Sequence, residues 1–120
     1  MLPRLGIFRF PIWESSVVEV LSFKLLEKYW KRKGNEKAEK PLRDWFGIAE
    51  HSEWKTTIEV KNTFPQTDFQ PRGRAIFDIG GNKFRIVARI EYQNQIVRIE
   101  EVLDHTEYDA WNEKQRRQGK

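Results

Sequence analysis

Cysteine is absent from the 120-residue sequence, and proline, histidine and methionine are scarce, at five, two and one. Without cysteine there is no disulfide framework, no thiolate zinc site and no cysteine nucleophile, a composition that suits a reducing cytosol. Long apolar runs are missing too. A membrane-crossing helix needs about 20 such residues, so nothing in the sequence is expected to span a bilayer. The opening stretch MLPRLGIFRFPIW is interrupted by Arg9 and Pro11 before it reaches signal-peptide length, and the chain is expected to stay in the cytoplasm. What is abundant is aromatic bulk. Five Trp and eight Phe supply one independent core, and the length fits a single domain. Lys and Arg total 22 against 18 Asp and Glu, a formal charge of +4. That excess leans toward an anionic partner, although an ordinary mixed-charge surface would also show it.

Residues 1–16 carry two prolines, a glycine and isolated aromatics without sustained period, and read as an N-terminal extension ahead of one domain over 17–120. Val17, Val18, Val20 and Leu21 form a largely β-branched run that predicts a strand. Ser22 is then placed as an N-cap, and Phe23, Leu26 and Trp30 recur at helical spacing until Gly34. A second helix is predicted from Ala38, Leu42, Trp45, Phe46 and Ala49, with Pro41 in its first turn. Lys28, Lys31, Arg32, Lys33, Lys37 and Lys40 crowd the join between these helices, a pattern most simply read as a solvated face. Thr56 and Glu59 make a capping box that opens one helical turn, and Pro65, Pro71 and Gly73 mark a loop.

From 74 to 103 the period changes to strand alternation, with GlyGlyAsn at 80–82 and GlnAsnGln at 93–95 as turn signals. This predicts an antiparallel meander over roughly 74–79, 83–92 and 96–103. Helices followed by strands imply an α+β fold, with the helices packed on one face of an antiparallel sheet. Alternation sends Phe84, Ile86, Ala88, Ile90 and Tyr92 to the core and Lys83, Arg85, Val87, Arg89 and Glu91 to the other face. A turn at Gly81 and Asn82 sets Ile79 opposite Phe84, Phe77 opposite Ile86, Asp78 opposite Arg85, and Arg74 opposite Arg89. A turn at Asn94 and Gln95 sets Tyr92 opposite Val97, Ile90 opposite Ile99, Glu91 opposite Arg98, and Arg89 opposite Glu100. The second face is therefore expected to be open and basic, with Arg74, Lys83, Arg85, Arg89 and Arg98 among Asp78, Glu91 and Glu100. Two readings fit it: a solvated surface stitched by cross-strand ion pairs, or a groove that grips the phosphates of an extended RNA strand. The groove reading leans on Lys83 and Arg74, which have no acid directly across.

The segment LeuAspHisThrGluTyrAsp, 103–109, follows the last strand. On a helical turn His105 and Tyr108 would share a face. A lone histidine is usually structural, and His51, at a helix end among charges, reads as a surface residue. Beside a basic sheet His105 has another use. Cleaving RNA requires deprotonating a 2'-hydroxyl, donating a proton to the leaving oxygen and stabilising the crowded phosphate charge. No His, Asp and Glu spacing resembles a metal site, no Gly-rich phosphate loop precedes a helix, and no metal or cofactor is expected.

PheAspIleGlyGlyAsnLysPheArgIleValAlaArgIleGluTyr at 77–92, followed by ValLeuAspHisThrGluTyrAsp at 102–109, strongly resembles the HigB-type toxins of bacterial toxin-antitoxin pairs. ValGluValLeuSer at 18–22, ProLeuArgAspTrpPhe at 41–46, and GluTrpLys with ThrPhePro over 53–65 extend the likeness, while 1–17 have no counterpart in it. The resemblance implies a RelE-like fold and a metal-independent endoribonuclease, an mRNA interferase that cuts messages on the ribosome and inhibits translation. It also implies a cognate helix-turn-helix antitoxin of the HigA type as partner. Carried over by position, Lys83 and Arg85 would stabilise the phosphate, His105 would move a proton, and Tyr108 would orient substrate or join in proton transfer. Arg74, Arg89 and Arg98 are the expected further RNA contacts. Two positions depart from the family pattern: Glu100 stands where arginine is common, and Asp78 where a neutral residue is common, and both remove positive charge from the inferred groove. The rival readings are a non-catalytic toxin of the same fold acting on DNA gyrase, as ParE-type toxins do, and a catalytically weakened antitoxin-binding or RNA-binding module.

Overall fold

The alternating half of the chain builds the frame on which everything else rests. In the computed structural model, which describes residues 17–81 and 83–118, β3 (Arg74–Ile79), β4 (Phe84–Glu91) and β5 (Ile96–Asp104) form an antiparallel meander. β1 (Glu19–Leu21) adds in parallel to β5, and β2 (Asp68–Gln70) adds antiparallel to β3, giving the order β1-β5-β4-β3-β2. β2 is an addition to the expected strands, because Pro65, Pro71 and Gly73 disguise a short edge strand as a loop. Gly73 itself has φ 76°, and a Cβ there would lie 2.7 Å from the Ile90 carbonyl oxygen, so the close crossing onto β4 requires glycine. The expected extension at 1–16 lies outside the described residues.

α1 (Phe23–Trp30), α2 (Glu39–Ala49) and α3 (Thr57–Thr63) supply the core's other half. Leu26, Tyr29 and Trp30 from α1, Leu42, Trp45 and Ala49 from α2, and Val60 from α3 pack against Ala75, Phe77, Ile86, Ala88, Ile90, Val97 and Ile99 of the sheet. These are the face assignments that period-2 alternation predicts. Trp54 and Phe77 stack at 5.9 Å within this layer, and the Trp54 indole N–H donates to Thr63 Oγ1 at 3.0 Å. The Thr56 and Glu59 capping box is present at the start of α3. Ser22 departs from expectation. Its backbone is left-handed (φ 74°) and its hydroxyl caps nothing, so it acts as the sharp reversal between β1 and α1. α1 also ends at Trp30, short of Gly34.

The β3–β4 register is the one expected: Ile79 faces Phe84, Phe77 faces Ile86, Asp78 faces Arg85, and Arg74 faces Arg89, while Asn82 of the expected turn lies outside the described residues. The β4–β5 register does not agree. Glu91 pairs with Ile96, Ile90 with Val97, Arg89 with Arg98, and Ala88 with Ile99. The cause is Gln95, which is buried in the turn with φ 55°. Its side chain donates to the carbonyls of Trp54 (2.6 Å) and Tyr92 (2.8 Å) and accepts from the Trp54 N–H (2.9 Å). Tied to a buried tryptophan and back to Tyr92, Gln95 keeps the whole of 92–95 in the turn, and pairing begins only at Glu91 and Ile96. The slip is by two residues, so side chains keep their predicted faces. A β-bulge then intervenes, because Val87 pairs with Glu101 while Ala88 pairs with Ile99, leaving Glu100 as the extra residue.

The second face is not open. α4 (His105–Arg117) begins where β5 ends and lies across this face. The Arg74 guanidinium sits 5.2 Å from the Trp111 ring centre and that of Arg85 5.4 Å from the Tyr108 ring centre. Between them the cross-strand pair Ile76 and Val87 is buried, outside the main core cluster. The helices therefore pack on both faces of the sheet.

Candidate active site

α4 starts on a complete capping box. The Asp104 carboxylate accepts from the Glu107 N–H at 2.7 Å, and Glu107 accepts from the Asp104 N–H at 2.9 Å. This pattern is legible in the sequence as Asp-x-x-Glu at 104–107, and it fixes where His105 and Tyr108 stand. The His105 N–H donates to the Lys83 carbonyl at 3.2 Å, so the first residue of the helix is tied to the residue that leads into β4. Lys83 and His105 are both exposed, and one strand position further on Arg85 turns toward Tyr108. Lys83 and His105, joined through their backbones, and Arg85 and Tyr108, in contact through their side chains, thus lie along the β4–α4 junction, although they come from two separate segments of the chain.

Arg85 is held rather than loose. Its Nε lies 3.0 Å from an Asp78 oxygen, directly across the β3–β4 ladder, and both side chains are mostly shielded from solvent. Burial raises the Tyr108 phenol above its ordinary value; nearby Asp68 adds to the rise, Arg85 opposes it, and Asp78 and Asp109 add smaller contributions. At neutral pH Tyr108 is therefore an O–H donor and not a phenolate. Asp68, on the additional strand β2, enters the electrostatics of the site only because β2 brings it beside Tyr108. Sequence reasoning missed Asp68, and it also missed Trp111, whose three-residue spacing from Tyr108 on a helix was the available signal; the two rings stack at 5.8 Å.

The three further arginines are engaged by acids. Arg89 reaches Glu100 at 2.9 Å and Arg74 reaches the same carboxylate at 3.6 Å, so the bulge residue braces two arginines at once. Arg74 has no acid directly across, as expected, since it faces Arg89, and the bulge at Glu100 supplies one diagonally. Arg98 lies 4.0 Å from Glu91 on the exposed part of the face. This face is consequently a stitched network at Arg74, Arg85 and Arg89, each with an acid, and Lys83 stands exposed at its end. His51 is exposed, as expected, with Nδ1 2.8 Å from the Gly47 carbonyl. Among the described residues no group of three or more His, Asp or Glu is arranged to hold a metal ion, and no helix is long and apolar enough to cross a membrane.

A five-stranded, mostly antiparallel sheet with helices on both faces makes this a small α+β protein, and Lys83, Arg85, His105 and Tyr108 beside α4 are its candidate site. The chain belongs to the HigB toxin family, described as the RelE-like toxic component of a toxin-antitoxin system; the family's model matches residues 38–111. An mRNA interferase HigB of Escherichia coli O6:H1 is 29% identical over 70 residues, covering 57% of this chain and 68% of that protein. The mRNA interferase toxin HigB of Escherichia coli K12 is 40% identical over 69 residues, covering 56% of this chain and 66% of that protein. The mRNA interferase HigB of Shigella flexneri matches to the same extent.

Proposed function

We propose that this HigB-family toxin is an endoribonuclease that cleaves mRNA on the ribosome in the cytoplasm and so inhibits translation, and that a helix-turn-helix antitoxin of the HigA type neutralises it. The observation that supports the reading is that the β4–α4 junction carries all four of Lys83, Arg85, His105 and Tyr108, with Lys83 tied to His105 by a backbone bond and Arg85 over Tyr108. Its family and the names of its relatives support the same activity. The chemistry needs no metal. Attack of a 2'-hydroxyl on the adjacent phosphate builds negative charge, which the Arg85 guanidinium and the Lys83 ammonium offset. His105 takes or gives a proton, and the neutral Tyr108 donates a hydrogen bond to a phosphate oxygen or the leaving oxygen. The products would be a 2',3'-cyclic phosphate and a 5'-hydroxyl.

A second reading is favoured by Asp78 on Arg85 and Glu100 on Arg74 and Arg89: a module that binds its partner or RNA but cuts poorly. Inducing the chain in bacteria and mapping message ends by primer extension, with and without His105→Ala, separates the readings. New 5' ends inside coding regions that vanish in the variant are expected. Growth arrest with intact messages and gyrase-linked DNA damage would point to a ParE-like inhibitor, and neither arrest nor cleavage to the weakened module.

A further inference from the structure

α4 buries none of its residues fully, yet the stripe it turns to the sheet is specified side chain by side chain. Tyr108, Trp111 and Gln115 recur at intervals of three and four, which places them on one side of a helix. From the sheet, the Arg85 guanidinium lies 5.4 Å from the Tyr108 ring centre and that of Arg74 lies 5.2 Å from the Trp111 ring centre. Arg74 also directs Nη1 to the Gln115 side-chain oxygen at 3.4 Å, while its Nε is shut off from water 3.6 Å from Glu100. This arginine is committed to the underside of α4, and Trp111 is fixed from the sheet as well as by its own helix. The Trp111 ring in turn stacks on Tyr108, with centroids 5.8 Å apart and planes 29° from parallel. A phenol swings about two side-chain torsions, so on a helix without fully buried residues its ring contacts set where the O–H points. Of the two contacts, Arg85 is the one that the proposed cleavage turns toward a phosphate. Trp111 has no part in that chemistry and keeps its place throughout.

We propose that Trp111, seated on Arg74, is the positioning residue for Tyr108: stacked on the phenol ring, it aims the hydroxyl at the reacting phosphate and keeps water from that side of it. The role rests on the nuclease reading and adds to it a residue that touches no substrate. Two other uses of an aromatic ring at this place make different demands. A ring that stacks a base of the RNA would act on substrate binding. A ring that only fills space between α4 and the sheet would act on stability, and any apolar side chain of similar bulk would serve.

Trp111→Leu, which keeps apolar bulk without a ring, and Trp111→Phe, which keeps a ring, test the assignment in the full chain cutting a message on ribosomes. Trp111→Leu should lower kcat by about tenfold to a hundredfold, the cost of a misaimed group, and leave KM within about twofold. Trp111→Phe should restore most of the rate. In a Tyr108→Phe background Trp111→Leu should cost less than about twofold more, because a residue that acts through Tyr108 has nothing left to aim. A second readout needs no cleavage. Burial is the first cause of the raised Tyr108 phenol, so NMR of isotope-labelled tyrosine Cζ, assigned with Tyr108→Phe, should show Tyr108 ionising at lower pH in Trp111→Leu than in the wild type. A rise in KM with kcat held would overturn the assignment in favour of base stacking. Equal losses in Trp111→Leu and Trp111→Phe, an undiminished loss in the Tyr108→Phe background, or an unmoved Tyr108 titration would overturn it in favour of packing. A wild-type chain that cuts no message while the titration still moves fails the nuclease reading and takes the positioning role with it; a cutting wild type with an equally active Trp111→Leu overturns the positioning role alone.

Discussion

At Arg85 the side chain that would face a phosphate is also held by the fold. Under the proposed nuclease function Arg85→Ala should remove cleavage, and because Arg85 is ion-paired with Asp78 it also strands a largely shielded carboxylate. The expected stability loss is about 1 to 3 kcal/mol, read in a thermal melt as roughly 4 to 8 °C per kcal/mol. A variant that no longer folds would make Arg85 a structural residue first. Glu100 poses the opposite case. Glu100→Gln leaves Arg74 and Arg89 without their shared acid and should tighten RNA binding with a steeper salt dependence, by about 0.7 in slope for each additional phosphate held on a single strand. Affinity measured across a salt series decides it, and an unchanged slope would place this carboxylate away from the RNA. At Tyr29 burial, followed by Glu107 and Asp104, pushes the phenol from 10.0 up to about 12. The fold favours its neutral form, so its contribution is complete below about pH 10 and is lost as pH climbs toward 12. Tyr29→Phe should flatten that alkaline fall in urea unfolding measured between these limits.

At the scale of elements, α4 carries His105 and Tyr108 of the proposed site while burying little of its own surface. None of its residues is fully buried; it is held by its cap, by the Lys83 to His105 bond, and by two arginines lying over Tyr108 and Trp111. Asp104→Ala removes the cap and should cost about 0.5 to 2 kcal/mol. The loss should be local: faster amide exchange through the first turn of α4, and a fall in cleavage larger than the change in Tm suggests. An unchanged cleavage rate would mean that His105 and Tyr108 are positioned by something other than the start of this helix.

For the whole molecule, the packed pattern begins at Val18, which is buried in the main core. Deleting 1–16 should therefore leave both melting behaviour and toxicity unchanged. Precipitation of the shortened chain would show that the segment completes the core. The charge is unevenly spent as well. The lysines at the α1 to α2 join behave as the solvated face expected of them, with Lys31 paired to Glu27 and Lys40 to Asp44, while the two cations at the site end of β4 are Lys83 and Arg85.

Local periodicity by itself determined the core and which candidate residues share a sheet face. Alternation over 74–103 assigned the buried face, the GlyGlyAsn turn set the β3–β4 register, and Asp78 opposite Arg85 follows from that turn alone. These are short-range consequences of pleat and turn geometry. The β4–β5 register was not legible, because Gln95 is drawn into its turn by Trp54, 41 residues away in the chain. β2 and Asp68 were hidden by their loop-like composition, and the docking of α4 by its polarity, since a helix seated through arginines over aromatic rings carries a weak apolar stripe. Whether the second face was an open groove or a covered network was a long-range question. The tertiary structure decided it, because only the packing of α4 and the bulge at Glu100 determine which of the predicted cations are already spoken for.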